Sequence, residues 1–269
     1  MLKTSILYRL VFFLAFFLLL TNASFAVNVI RENGFYKVKI NVSSAKILPY
    51  VSNSLETIEE IALKTGADIV INTGYFDAKN KKTVSFITNN GEILANPKQN
   101  ENLFSNTSLQ KYLADIYNRS ELRILNCEGK QKVDIAQHFE KVPENCKIMN
   151  STQAGPMLYP VLNLEKEAFI KIENDRILRD SIGANRPCAR SFVAIKNNKL
   201  YFFITDENTD LTLFELQEKL KSYEFEKALN FDGGGSVAMF VKNKNNNFYQ
   251  FREKNNQARP IKSALLIFL

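Results

Sequence analysis

Residues 228–241 read ALNFDGGGSVAMFV. A short apolar run lies on each side of a polar glycine corner, the pattern of two buried strands meeting at a tight turn. Three consecutive glycines, Gly233, Gly234 and Gly235, cost backbone entropy, so a loop uses them where φ is positive or another chain segment passes close by. Successive N–H groups there can form an anion-binding concavity. Asp232 would then be a fixed carboxylate beside it and Ser236 a neighbouring hydroxyl. The plain alternative is a tight turn with a capping Asp. No Gly-Lys-Ser/Thr follows and the spacing is not G-x-G-x-x-G, so neither nucleotide-binding loop is present.

The same arrangement occurs upstream. Ser54 is expected to cap a helix running to about Lys64, with Leu55, Ile58 and Ala62 on one face and Gly66 placed to stop it. Residues 68–72 (DIVIN) form a short buried strand that ends in Asn72-Thr73-Gly74-Tyr75-Phe76-Asp77. A second helix is expected over Thr212–Tyr223, with Thr212 and Glu215 as a capping box and Leu213, Leu216, Leu220 and Tyr223 as its buried stripe. Residues 35–42 alternate apolar and polar as a half-buried strand. Val84–Thr88 and Glu92–Ala95 form a hairpin about Asn89-Asn90-Gly91. Arg190–Ile195 and Lys199–Thr205 pair through an Asn-Asn turn, and Val237–Val241, Phe248–Phe251 and Lys262–Phe268 complete the strands. The class is α+β, a mainly antiparallel mixed sheet with packed helices. Residues 27–269 are expected to be one domain, with the Asn-, Lys- and Glu-rich stretch 96–150 as a variable insertion or cap. The glycine turns at 72–77 and 230–236 are expected side by side at one sheet edge.

Composition narrows the function classes. The 269 residues are 45% apolar and 23% charged, which excludes a disordered chain and a polytopic membrane protein. Lys3 and Arg9 precede the apolar run Leu10–Leu20, which is shorter than the roughly 20 residues a membrane span needs. Ser24 and Ala26 follow at signal-peptidase spacing, so residues 1–26 read as a secretory signal peptide and the mature chain as secreted or periplasmic, with no stable span. Removing Lys3 and Arg9, and no acid, lowers the net charge from +7 to +5. That mild excess suits an anionic substrate or a cell-wall glycopolymer and does not indicate a nucleic-acid partner. Of three cysteines, Cys127 and Cys146 close the shortest loop; three reduced thiols are the alternative. His138, the one histidine, reads as structural. The Lys79–Lys82 and Lys242–Lys244 runs read as solvated loop tips.

Arg186 and Arg190 flank Pro187-Cys188-Ala189, and Arg is the residue for bidentate recognition of phosphate or carboxylate. Asp206 and Glu207 end the strand 199–205. Together these stretches resemble the phosphodiester glycosidase family. Asn72–Asp77 resembles its N-G-G-F-F motif, Ala154-Gly155-Pro156-Met157-Leu158 its A-G-P-x-L segment, Arg190-Ser191 and the following strand its R-T/S-x-x-G/A-I strand, and Asn230–Ser236 its N-L-D-G-G-G-S signature. Leu213–Leu220 resembles the family's helix, and Arg259-Pro260-Ile261 its closing segment. The resemblance covers roughly 68–95 and 152–269. Three departures stand out: Thr73 in place of a Gly, Glu207 in place of the Gly after Asp206, and the unmatched 96–150.

The resemblance implies an exported glycosidase hydrolysing a sugar 1-phosphodiester to free sugar and a phosphomonoester. Asp77, Asp206 and Asp232 are then the catalytic carboxylates, with roles among them unassigned. Asn72, Gly74, Arg190, Gly233, Gly234, Gly235 and Ser236 bind substrate, Arg190 holding the phosphate. Asn72, Asp77, Arg190, Asp206 and Asp232 are expected to converge on one cleft. The alternatives are a non-catalytic envelope module binding a glycan or glycopolymer, and a metal-assisted phosphodiesterase holding calcium or magnesium among the aspartates; no D-x-D-x-D-G loop points to the latter.

Overall fold

The computed structural model describes residues 27–242, 248–252 and 259–269. The signal-peptide reading of 1–26 and the loop tip at 243–244 lie outside these residues. The elements run β1 (Val29–Glu32), β2 (Phe35–Asn41), β3 (Lys46–Glu56), α1 (Ile58–Thr65), β4 (Ile69–Asn72), β5 (Ile87–Asn89), β6 (Glu92–Ala95), α2 (Glu101–Phe104), α3 (Leu113–Tyr117), β7 (Ser120–Cys127), β8 (Lys130–Gln137) and β9 (Cys146–Gln153). They continue with β10 (Met157–Tyr159), β11 (Ile170–Glu173), β12 (Arg176–Asp180), β13 (Ser191–Lys196), β14 (Lys199–Thr205), α4 (Leu213–Leu220), β15 (Lys227–Asn230), β16 (Ala238–Lys242), β17 (Phe248–Arg252) and β18 (Ile261–Phe268).

Three sheets and a ribbon result, ordered β1-β2-β14-β13-β15-β10, β17-β16-β4-β18-β3, β6-β5-β9-β7-β8 and β11-β12. Each strand pairing is antiparallel, for example Phe192 opposite Asn230 and Ala264 opposite Asn72. The class is α+β, as the hairpin-rich pattern predicts.

Period-two alternation explains why the central strands are apolar throughout. Val193 and Ile195 of β13, Ile69 and Ile71 of β4, and Leu265 and Ile267 of β18 point into one shared core. Their alternating neighbours point the other way, onto helices. Val70, Phe240, Ala264 and Leu266 pack on Ile58, Ile61 and Ala62 of α1. Phe192, Ala194 and Phe203 pack with Leu213, Leu216 and Leu220 of α4. Each fully buried leucine contributes about 1.5–3 kcal/mol of transfer free energy, enough to hold an eight-residue helix that would not persist alone.

Several expectations need correction. The first helix is capped by Thr57 in a box with Glu60, because β3 continues through Ser54 and Leu55 to Glu56. Gly66 ends that helix at φ 70°, as its position predicts. The 96–150 stretch is not simply a cap. Leu122, Ile124 and Ile135 of β7 and β8 belong to the same core as β4 and β13, so this segment supplies a third wall of the core, and its polar composition reflects its outer faces. Cys127 and Cys146 sit opposite each other on β7 and β9 and form a disulfide, with Cys188 in no disulfide. His138 stacks on Phe86 at 4.1 Å, and its Nδ1 lies 2.8 Å from Glu121 Oε2. It is a structural residue, with an orienting carboxylate that the sequence does not reveal. No helix among the described residues is long and apolar enough to cross a membrane.

Candidate active site

β4 and β15 belong to different sheets, and the polar turns that follow them meet where the sheets adjoin. The Asp232 N–H donates to the Thr73 carbonyl at 2.8 Å. Asn72 Nδ2 donates to the Asp232 carbonyl at 2.7 Å, while Asn72 Oδ1 accepts from the Ala238 N–H at 3.2 Å. Asn72 is 1% exposed. Both ends of its amide are therefore used to fasten the glycine loop to β4, and it positions Asp232 from behind.

The Ala154-Gly155-Pro156 segment locks in beside them. The Gly155 N–H donates to the Asn230 carbonyl and the Asn230 N–H to the Pro156 carbonyl, both at 3.0 Å. The Tyr75 hydroxyl donates to the Gly155 carbonyl at 2.7 Å and accepts from Asn230 Nδ2 at 2.9 Å. Burial, more than any charge nearby, pushes the Tyr75 phenol well above its ordinary range. Gly155 has φ 99°, and a Cβ there would lie 2.3 Å from Glu167 Oε2, so only glycine fits. Gly74 admits no side chain either, since a Cβ would stand 2.9 Å from the Gln153 carbonyl oxygen.

These turns and the loop 181–190 enclose a cavity of about 440 Å³. Asp232, Gly233, Gly234 and Gly235 form one wall; Tyr75, Phe76 and Arg259 another; Gly183, Arg186, Cys188 and Arg190 a third. Desolvation raises the Asp232 carboxyl to about 6, against the smaller opposing pull of the Ser236 hydroxyl, Arg259 and the Gly233 N–H.

Arg190 is 1% exposed. Its Nε donates to the Leu211 carbonyl at 2.7 Å, and its Nη2 to the Gly183 and Arg186 carbonyls at 2.9 Å each. Its first task is thus to hold the loop 183–190 against the start of α4, which leaves Nη1 on the side of Gly233. Arg186 and Arg259 are exposed, and the Arg259 guanidinium lies 4.9 Å from the Phe76 ring centroid. The glycine loop is also less open to anions than expected. The Gly234 N–H donates to the Ala189 carbonyl, Ser236 N–H to Gly233 and Val237 N–H to Gly234. The Gly233 N–H is turned to the Asp232 carboxyl. The Gly235 N–H has no backbone partner among the described residues.

Of the expected cleft residues, the structure brings together Arg190, Asp232 and the three glycines, with Asn72, Gly74 and Ser236 behind them. Asp206 and Asp77 do not line the cavity. Asp206 Oδ2 accepts from Arg31 Nε and Nη2 at 3.0 and 2.8 Å, which turns it toward β1. Asp77 closes its own turn, accepting from the Lys79 N–H at 2.7 Å and from Asn102 Nδ2 at 2.9 Å. With these carboxylates apart, the aspartates do not make a cation site, and no group of three or more His, Cys, Asp or Glu among the described residues is placed to hold a metal. Two of the departures also fall outside the cavity. Thr73 is buried with Oγ1 3.3 Å from Ser263 Oγ, and Glu207 accepts from the Tyr36 hydroxyl at 2.8 Å.

Tyr75, Phe76 and Arg259 are cavity residues that the sequence does not mark as site residues, although all three lie inside stretches that resemble family motifs. Arg186, which the sequence offers with Arg190 for anion recognition, lines the cavity too. Nothing local marks them as facing the same space.

The family profile described as phosphodiester glycosidase matches residues 65–268. No curated protein sequence matches the chain. Among solved structures, a protein from Synechocystis aligns over 90% of this chain and 61% of its own, at 14% identity and TM-score 0.61. This chain thus spans less than two thirds of that relative. The zebrafish N-acetylglucosamine-1-phosphodiester α-N-acetylglucosaminidase catalytic domain, in a form auto-inhibited by its pro-peptide, aligns over 90% of this chain and 81% of its own, at 14% identity and TM-score 0.61. An exported protein of Burkholderia pseudomallei aligns over 87% of this chain and 74% of its own, at 11% identity and TM-score 0.60. Identities this low speak to the fold alone, and the fold agrees. The profile match covers the turns at 72–77 and 230–236, the Gly155 segment and both cavity arginine loops, and by it the chain belongs to the phosphodiester glycosidase family.

Proposed function

We propose that the protein is an extracytoplasmic hydrolase that cleaves a sugar 1-phosphodiester into free sugar and a phosphomonoester. One observation carries the reading: Asp232, the single carboxylate among the described lining residues, is raised to about 6 in a polar cavity shared with Arg186, Arg190 and Arg259. The disulfide fits an oxidising compartment.

A glycosidase cleaving an alkyl glycoside uses two carboxyl groups, one of them to protonate the departing alcohol. A phosphate leaves as a stable anion and needs less protonation. Guanidinium groups that neutralise the developing charge then take the place of the acid, and one carboxylate suffices as base. A pKa near 6 suits that task, since Asp232 is ionised at neutral pH yet basic enough to accept a proton. In the step, Asp232 takes a proton from water and the water oxygen bonds to the anomeric carbon. The bond from that carbon to the phosphate oxygen breaks, its electron pair leaving with the phosphate. The proton on Asp232 then passes to solvent. Arg186 and Arg190 Nη1, with the Gly235 N–H, bind the phosphate, and Tyr75 and Phe76 line the sugar side. Asn72 and Ser236 fix the Asp232 loop. Asp77 and Asp206 have no part in this step.

The test is release of phosphomonoester from a panel of sugar 1-phosphodiesters by purified protein, with Asp232→Asn as control. Native protein that turns over no member of the panel would overturn the reading. Glycan binding with no product formed would favour a non-catalytic envelope module.

A further inference from the structure

A second cleft encloses about 330 Å³. Two segments serve both. The turn 75–83 gives Tyr75 and Phe76 to the first cavity and Lys82 and Thr83 to the second, folded on itself by the Phe76–Thr83 bridge. The chain entering β18 gives Arg259 to the first and Lys262 to the second. The two clefts are therefore built partly from the same two stretches of chain.

The lining of this cleft is chemically distinctive. Asn53, Asn96 and Gln99 bring amides, which both donate and accept hydrogen bonds, as sugar hydroxyls do. Lys262 brings a cation and Lys82 a second, which is paired with Glu101 at 2.6 Å; no carboxylate among the described residues lines the space itself. Val51, Leu94 and Ala95 make the apolar part of the lining, with Leu94 47% exposed. Parts of the wall are fixed in advance. The Lys262 ammonium donates to the Ser52 and Asn53 carbonyls, which take two of its three donors, and burial lowers its pKa. Asn96 caps the turn after β6 by accepting from the Lys98 N–H at 3.0 Å.

We infer that this cleft is a second saccharide subsite, taking an anionic sugar unit of an extended glycan whose scissile linkage lies in the first cavity. The placement of the linkage rests on the function proposed above; the binding of the sugar unit does not. It makes the substrate a charged glycan of several units and not a free sugar phosphate.

Isothermal titration with trigalacturonic acid as the acidic probe and maltotriose as the neutral one tests this. Asp232→Asn protein binds the acidic probe in preference to the neutral one. Adding Asn53→Ala and Gln99→Ala, both exposed positions, weakens the acidic probe at least tenfold with the melting temperature held. Lys262→Met abolishes the preference for the acidic probe; should it fail to fold, the Asn53/Gln99 variant carries the test alone. Equal titrations for the folded cleft variant and its parent, or no binding of either probe, overturn the subsite. Failure of the hydrolysis reading is seen separately, as absence of phosphomonoester release by native protein.

Discussion

Asp232→Asn should make the protein inactive and more stable at once. In the native protein the carboxyl sits at about 6, against an ordinary value of 3.8, and desolvation is the largest cause. Because the folded-state value is raised, the native protein holds the proton through a window in which the unfolded chain has released it. Its contribution to stability is complete below about pH 3.8 and is lost as pH rises through about 6. A carboxyl held roughly two pH units above its ordinary value corresponds to about 3 kcal/mol. Asparagine keeps the shape and an acceptor oxygen for the Ser236 hydroxyl and the Gly233 N–H, but carries no charge to desolvate. At pH 8 the variant should thus exceed the native protein by up to about 3 kcal/mol, or roughly 6–12 °C in melting temperature for a domain of this size. The gap should close by about pH 3.5. Turnover should fall by about 10²–10⁴, the usual worth of a positioned base. Thermal melts at several pH values, with turnover measured on the same preparations, check both halves. A variant less stable than native protein at pH 8, or a gap that does not change with pH, would refute the claim that a partly desolvated carboxylate is held in the cavity for chemistry.

Arg259 holds the Asp232 value down, so Arg259→Gln should move the acidic limb of the kcat/KM profile to higher pH; an unmoved limb would show that the two groups do not interact. Arg190→Lys should be chiefly a stability defect. A lysine cannot reproduce donation to the Leu211, Gly183 and Arg186 carbonyls, and losing one or two such charge-assisted bonds costs about 2–4 kcal/mol by chemical denaturation. A weakened substrate affinity with an unchanged denaturation midpoint would instead make Arg190 a phosphate ligand first. Replacing Cys127 and Cys146 together by serine should lower stability by about 3 kcal/mol, given the 19-residue separation, and make the melting temperature insensitive to reductant. Persistent reductant sensitivity would point to Cys188.

Much of the fold is legible in the sequence because its signals are local. The Thr212–Glu215 capping box, the Gly66 stop, the Asn-Gly hairpin and the Asn197-Asn198 turn each depend on a few adjacent residues, and each is found in place. β3 is not legible, since Lys46–Glu56 carries a proline and polar residues and is a strand through its pairing with β18. The same holds for β7–β9, whose apolar residues gain meaning only when they meet β4 and β13 in the core.

The sequence by itself determined that two helix–strand–glycine-turn units exist and that their turns carry Asn72 and Asp232, because helix caps, buried runs and glycine requirements act over a few residues. The tertiary structure alone decided which charged groups share a cavity. Asp206 and Asp77 look no different from Asp232 along the chain, yet Arg31 and Asn102 claim them while Asp232 faces the cavity, partly desolvated by its walls. Arg190 looks like a dedicated phosphate ligand along the chain, yet the carbonyls of Leu211, Gly183 and Arg186 take its Nε and Nη2 and leave Nη1 for the cavity. A side chain's ionisation and its availability depend on the dielectric and the partners that distant segments bring to it, and those are set by packing.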